Sequence, residues 1–257
     1  MSLLTWREPG GWAGSQRLLA WLTAATLIIF LPLIVWGVVV LGRGEIATTV
    51  ALFGIAGYPI TAIVSLWLVA LGRTTLAASH DSTGTTLLPD RAFAAFFYIG
   101  CLGTIIGGTL YVIYAPQGEL ALPMSRGWQI FSPILIGVGV VVAVIGLVSA
   151  WRRGGIGYLK LDSDGLDIAN IVSTKSVSWD DVVDVKDNAD SRRTRRAVVL
   201  VRRDSTEQVI DGADIYVPHG AGLYWMVRQY WRHPDQRGEL VDERALERLR
   251  AGQFDSE

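Results

Sequence analysis

The sequence predicts four membrane-spanning helices followed by a water-soluble, mainly β domain that a helix closes. Three observations carry this. The chain is 51% hydrophobic and only 18% charged, against about 25% charged in an average soluble domain. The charge is uneven: residues 1–151 hold six of the 23 Lys and Arg, and residues 152–257 hold the rest. After residue 154, long apolar runs give way to short alternating ones divided by turn residues.

Residues 1–17 are expected to be a cytoplasmic amino-terminal tail. Four apolar stretches follow, at 18–41, 46–71, 93–115 and 128–151. Each exceeds the roughly 20 residues that a bilayer-spanning helix needs, and none contains Asp, Glu, Lys, Arg or His. The first is too long for the apolar core of a signal peptide and reads as an uncleaved helix. Arg7 and Arg17, Arg73 and Arg91, and Arg152 and Arg153 fall on one side of the spans. Only Arg43 and Arg126 fall on the other. The positive-inside rule then places both termini in the cytoplasm of a plasma (inner) membrane, and Trp6, Trp12, Trp128 and Trp151 at the membrane interfaces.

Within the spans, Gly103 and Gly107 have the spacing of a small-residue packing face. Pro32 and Pro59 lie mid-span, where ordinary close packing outweighs a hinge. With no ionisable group in a span, a coupled pump is disfavoured. The polar 72–92 connection, including His80 and Asp81, reads as a solvated loop.

Residues 152–257 make the soluble domain, with 17 basic and 19 acidic residues and a net charge of −2. Seven short strands are expected, at 158–161, 166–171, 174–179, 182–186, 196–202, 208–211 and 214–217. The turn 162–165 offers a glycine able to take a positive φ. Leu223, Met226, Val227, Tyr230 and Trp231 follow helical spacing and end before Pro234. A second, charged helix is expected over 242–250, held by Leu246 and Leu249.

Three pieces carry a family resemblance: Leu159-Lys160-Leu161-Asp162-Ser163-Asp164-Gly165-Leu166, Val177-Ser178-Trp179-Asp180-Asp181-Val182, and Tyr230-Trp231-Arg232-His233-Pro234-Asp235-Gln236-Arg237-Gly238-Glu239-Leu240. In this order, over residues 154–240, the chain resembles the bacterial pleckstrin-homology (PH) domain families. Helices followed by such a domain also occur among actinobacterial membrane proteins. The resemblance implies a seven-stranded, partly open barrel capped by a carboxy-terminal helix, a packing role for Trp179, and membrane-associated scaffolding. Phosphoinositide binding, known from eukaryotic members, does not carry over, because the first loop, 162–165, is acidic and repels phosphate.

Residues 191–203 contain six arginines. Arg192, Arg193, Arg195 and Arg196 fall in or beside the loop before the fifth expected strand. Arg202 and Arg203 lie at its far end, about 20 Å away at roughly 3.3 Å per residue. The four-arginine loop is the candidate contact for a protein partner or for anionic headgroups, where each basic residue contributes about 1 kcal/mol. The competing reading is a solvated loop paired with Asp187, Asp190 or Asp204. Nucleic acid is disfavoured by the acidic domain and by the lack of interleaved aromatics.

The expected function is that of a non-enzymatic membrane adaptor, with membrane lipids and a membrane or cytoplasmic protein as partners. A transporter or channel component for lipid or an envelope precursor is the alternative. No catalytic residue, metal ligand set or cofactor site is expected: there is one cysteine, and the three histidines, His80, His219 and His233, have no spaced acid–base partners.

Overall fold

The computed structural model describes residues 7–12, 15–171 and 173–254. The chain divides into two compact units: a helical one from Leu19–Trp67 and Ala94–Gly154, and a β one from residues up to Leu18, Leu68–Phe93 and residues from Gly155 onward.

The helical unit is built on α1 (Ser15–Leu41), α2 (Ile46–Ala70), α3 (Arg91–Tyr114) and α4 (Arg126–Arg152). All four are long and apolar enough to cross a membrane. Large apolar side chains such as Ile28, Ile29, Ile130, Ile134 and Val142 are exposed. An outward apolar face of this kind suits lipid rather than water. Pro32 and Pro59 sit inside uninterrupted helices, as does Pro133.

Between the helices, polar side chains find specific partners. The Trp67 indole donates to the Thr23 hydroxyl (2.8 Å), joining α1 to α2. The hydroxyls of Tyr111 and Ser132 share a hydrogen bond (2.8 Å) between α3 and α4. Ala121, in the α3–α4 connection, accepts from the Trp36 indole through its carbonyl (2.9 Å) and donates its N–H to Thr48 (3.1 Å).

Gly103 and Gly107 meet Gly54 of α2, so their packing partner lies within the same chain. The two are not equivalent. A Cβ on Gly107 would lie 2.5 Å from the Val50 carbonyl oxygen and 2.6 Å from the Gly54 Cα, whereas one on Gly103 would come no nearer than 3.9 Å to Gly54. Gly107→Ala is therefore expected to cost about 1–3 kcal/mol through overpacking. Gly103→Ala should stay within about 0.5 kcal/mol of the parent. Thermal unfolding of the two variants in detergent checks this.

Among the described residues, the β unit contains eight strands. β1 (Ala77–Asp81), β2 (Gly84–Leu88), β3 (Tyr158–Leu161), β4 (Gly165–Ala169) and β5 (Thr174–Ser178) form a five-stranded antiparallel sheet in that order. β6 (Val182–Lys186), β7 (Val198–Arg202) and β8 (Glu207–Ile210) form a three-stranded antiparallel one. Then come α5 (Ala221–Arg232), a 3-10 segment (Pro234–Val241) and α6 (Arg244–Ala251). One core joins both sheets to the helices: Leu159, Leu161, Leu166, Ile168, Val198 and Leu200 pack with Leu223, Met226, Val227 and Tyr230. Trp179 is buried there, its indole donating to the Asp162 carbonyl (2.9 Å) with the Arg237 guanidinium over its ring.

Three details differ from the sequence expectation. The 72–92 connection is a β-hairpin, not a solvated loop: β2 pairs with β3 in the register Thr86↔Lys160, and Leu87 enters the core. Its turn closes on the Asp81 carboxylate, which accepts from the Thr83 N–H (2.7 Å), and on Gly84 at φ 149°. The expected strand at 214–217 is instead a 3-10 turn, Ala213–Ile215, because the Asp214 side chain is drawn inward. Gly165 has no positive φ; a Cβ there would strike the Val177 carbonyl oxygen, so close strand approach is what requires glycine.

Asp90 links the hairpin to α3. Its carboxylate accepts from the N–H groups of Ala92 (2.9 Å) and Phe93 (3.1 Å), and from the N–H (2.8 Å) and hydroxyl (3.0 Å) of Thr75. Its own N–H donates to the Ile215 carbonyl (2.9 Å). Burial pushes the carboxyl pKa up, but the hydrogen bonds outweigh it and hold the group below the usual carboxylate range. With the folded pKa below the unfolded one, this stabilisation is complete above about pH 4 and is lost as pH falls through the folded value. Asp90→Ala is expected to cost about 1–2 kcal/mol at pH 7. Unfolding curves taken at descending pH should show that deficit narrowing only below pH 4.

Candidate functional site

The arginine segment is built by β7 and the connection that precedes it. The Glu207 carboxylate of β8 holds that connection by accepting from the N–H groups of Asp190 (3.0 Å) and Ser191 (3.3 Å) and from the Ser191 hydroxyl (2.8 Å). These donors keep the Glu207 pKa below its ordinary value. Lys186 pairs with Asp190 at 2.9 Å.

The four arginines do not form one exposed patch. Arg192 and Arg193 face solvent, whereas Arg195 is half-buried and Arg196 is buried. Arg195 makes a two-pronged ion pair with Asp214, Nη1 to Oδ2 at 2.5 Å and Nη2 to Oδ1 at 2.8 Å. Arg196 reaches Asp214 Oδ2 at 3.4 Å and Glu8 Oε1 at 3.1 Å. Asp214 is fully buried, so both cations are committed to it. Arg196 also holds a left-handed backbone (φ 49°), and its carbonyl accepts from the Ala213 N–H (2.9 Å). The pairing partners are thus Asp214 and Glu8, while Arg202 approaches Asp181 and Asp204. The exposed basic surface of the loop is the Arg192–Arg193 pair.

Glu8 belongs to a short amino-terminal segment that sequence reasoning did not connect with this region. Trp12 is not exposed at an interface; it is buried in the core of the β unit. Its indole donates to the carbonyls of Asp187 (3.0 Å) and Ala197 (3.1 Å), and its ring meets Tyr224 edge-on at 6.2 Å. The Gly11 N–H donates to the Asp187 carboxylate (2.8 Å), and the Trp225 indole donates to the Arg7 carbonyl (2.9 Å). Trp128 and Trp151, at the two ends of α4, are exposed. Trp6 lies outside the described residues.

The three histidines sit on separate elements. His80 is exposed on β1, and His233 follows α5. His219 takes a left-handed backbone (φ 63°) and lays its ring against Gly72, where a Cβ would collide with the imidazole. Among the described residues, no group of three His, Cys, Asp or Glu could hold a metal ion. Cys101 is buried. No protein-family model matches the chain, and no significant match is found among curated proteins or solved structures.

Proposed function

We propose that the chain is a non-enzymatic, multi-pass plasma-membrane protein whose β unit is a cytoplasmic docking module for another protein. One observation carries the reading: the β unit is assembled from the amino-terminal tail, the α2–α3 connection and the carboxy-terminal region. Each pair of these stretches is separated by an even number of helices long enough to span a bilayer. All three therefore share one side, the side that also collects the excess arginines. The module is thus tied to the helices at several points, as suits an anchored adaptor.

Two antiparallel sheets followed by a helix support a PH-like reading of the module, with its first strands supplied by the α2–α3 connection. Arg192 and Arg193 are the groups open to anionic headgroups, at about 1 kcal/mol each near a charged leaflet. That is enough to orient a module already anchored by helices.

The test is affinity capture of the full chain from crosslinked native membranes, beside a version lacking residues 155–257 and the hairpin 77–88. A specific protein held by the full chain and lost from the shortened one supports the reading. A partner retained by both, or by neither, contradicts it.

A further inference from the structure

We infer that the pocket around Trp12 is a peptide-recognition site, selective for a Glu-Pro-x-Gly-Trp segment, which the chain's own residues 8–12 occupy as a displaceable internal ligand. The inference rests on the docking-module reading and names the ligand chemistry of that module.

The five residues sit in the β unit as a peptide sits in a receptor. Their secondary structure is one 3-10 turn, closed by the Trp12 N–H on the Pro9 carbonyl (3.2 Å). They join neither sheet. The contacts fall on residues more than 170 positions away in the chain, so the segment is held by recognition rather than by local folding.

Each position has a distinct requirement. Trp12 is buried in the core and shares its indole N–H between two carbonyls. Gly11 is closely approached: a Cβ there would lie 2.5 Å from Asp187 Oδ1, so the Asp187 carboxylate, which accepts from the Gly11 N–H, would have to shift. Gly10 has nothing within 4 Å of a Cβ and is open to substitution. Pro9 is buried and pre-sets the turn at low entropic cost. Glu8 neutralises the Arg196 guanidinium.

The receptor side is pre-organised. Arg196 remains paired with Asp214 through its other nitrogen, and Asp214 remains held by Arg195. Release of the segment therefore leaves the two guanidiniums sharing the one Asp214 carboxylate, a net positive charge that an acidic residue in a competing segment would compensate. What release frees is a set of hydrogen-bonding groups, the carbonyls of Asp187 and Ala197 and the Asp187 carboxylate, beside the Tyr224 ring. A buried aromatic anchor with a satisfied polar rim is the usual energetic centre of a peptide site. Tethering raises the effective concentration of the internal segment to about millimolar, so a competing partner must present the same chemistry at good affinity or act after the segment is weakened.

The experiment uses the full chain in detergent with a protease site inserted after Trp12, and a fluorescent synthetic peptide with the sequence of residues 6–13. After cleavage, the labelled peptide should exchange saturably for the nicked segment, read by anisotropy and by native mass spectrometry. In the peptide, Trp12→Ala should weaken binding by at least about 30-fold, and Gly10→Ala by less than about threefold. Gly11→Ala should weaken binding more than Gly10→Ala and less than Trp12→Ala, since it displaces the Asp187 carboxylate without removing the aromatic anchor. In the uncut chain, Trp12→Ala should raise peptide affinity at least about tenfold, since it removes the internal competitor. Failure of the nicked segment to exchange, unfolding on its release, or equal binding of the Gly10 and Gly11 variant peptides would overturn the inference. Because the peptide reads the pocket directly and crosslinked capture reads the partner, a captured partner without peptide exchange would sink this site while leaving the docking reading standing.

Discussion

Asp214→Ala is expected to destabilise the β unit by about 3–5 kcal/mol, the cost of leaving a buried charge without its partner. Asp214 is fully buried, and the Arg195 and Arg196 side chains it holds are 14% and 8% exposed. Its removal strands the Arg195 guanidinium, leaves Arg196 with only the exposed Glu8, and frees the 3-10 turn that carries it. Arg192→Ala and Arg193→Ala should change stability by less than about 0.5 kcal/mol, as exposed positions do. Thermal unfolding of the full chain, followed by tryptophan fluorescence, separates the two classes. The contrast matters for function: loss of binding after substitution of Arg195 or Arg196 would report damage to the fold, whereas the same loss after substitution of Arg192 or Arg193 would report a surface contact.

Leu87→Ala is expected to cost about 2–5 kcal/mol, the range for emptying a buried leucine site. Leu87 is fully buried, pairs with Leu159 across β2 and β3, and belongs to the common core. The neighbouring Leu88, on the other face of the strand, is 43% exposed, and Leu88→Ala should cost less than about 1 kcal/mol. A solvated connection between two helices would show a small effect at both positions. The alternation between neighbours, read by urea or thermal unfolding, identifies the connection as a strand of the β unit. Thr85 strengthens the case, since its buried hydroxyl donates to the Leu240 carbonyl (2.7 Å) in the carboxy-terminal region.

The parts legible in the sequence are those with strong local signals. The absence of charge and the length of each apolar run placed all four helices within three residues of their ends. Alternation and turn chemistry marked six of the eight strands, and the α5 stripe emerged from helical spacing. The hairpin was not legible, because β1 is a half-exposed edge strand without alternating apolar residues and β2 pairs about 70 positions away. Its signal was the turn chemistry of Asp81 and Gly84 beside the buried pair Thr85 and Leu87. Trp12 was misread because a tryptophan before an apolar run has the same local pattern whether it meets lipid or a protein pocket. The inward turn of Arg195 and Arg196 depends on an acid 18 and 19 positions on, and on a left-handed backbone at Arg196. Neither leaves a local trace. The Gly103–Gly107 spacing was readable, but its partner Gly54 and the greater demand on Gly107 arise from tertiary packing.

The most direct test of the account is paired accessibility of Ser82, Ser163 and Gln117, three exposed positions. They lie in the β1–β2 turn, the β3–β4 turn and the α3–α4 connection. Each is changed to cysteine in a Cys101→Ser background and treated with a membrane-impermeant maleimide, in intact cells and in inside-out vesicles. The account predicts that Ser82→Cys and Ser163→Cys label together and only in the vesicles, while Gln117→Cys labels only in intact cells. Labelling of Ser82→Cys and Ser163→Cys from opposite sides would contradict a sheet shared by the α2–α3 connection and the carboxy-terminal region, and with it the docking module built on that sheet.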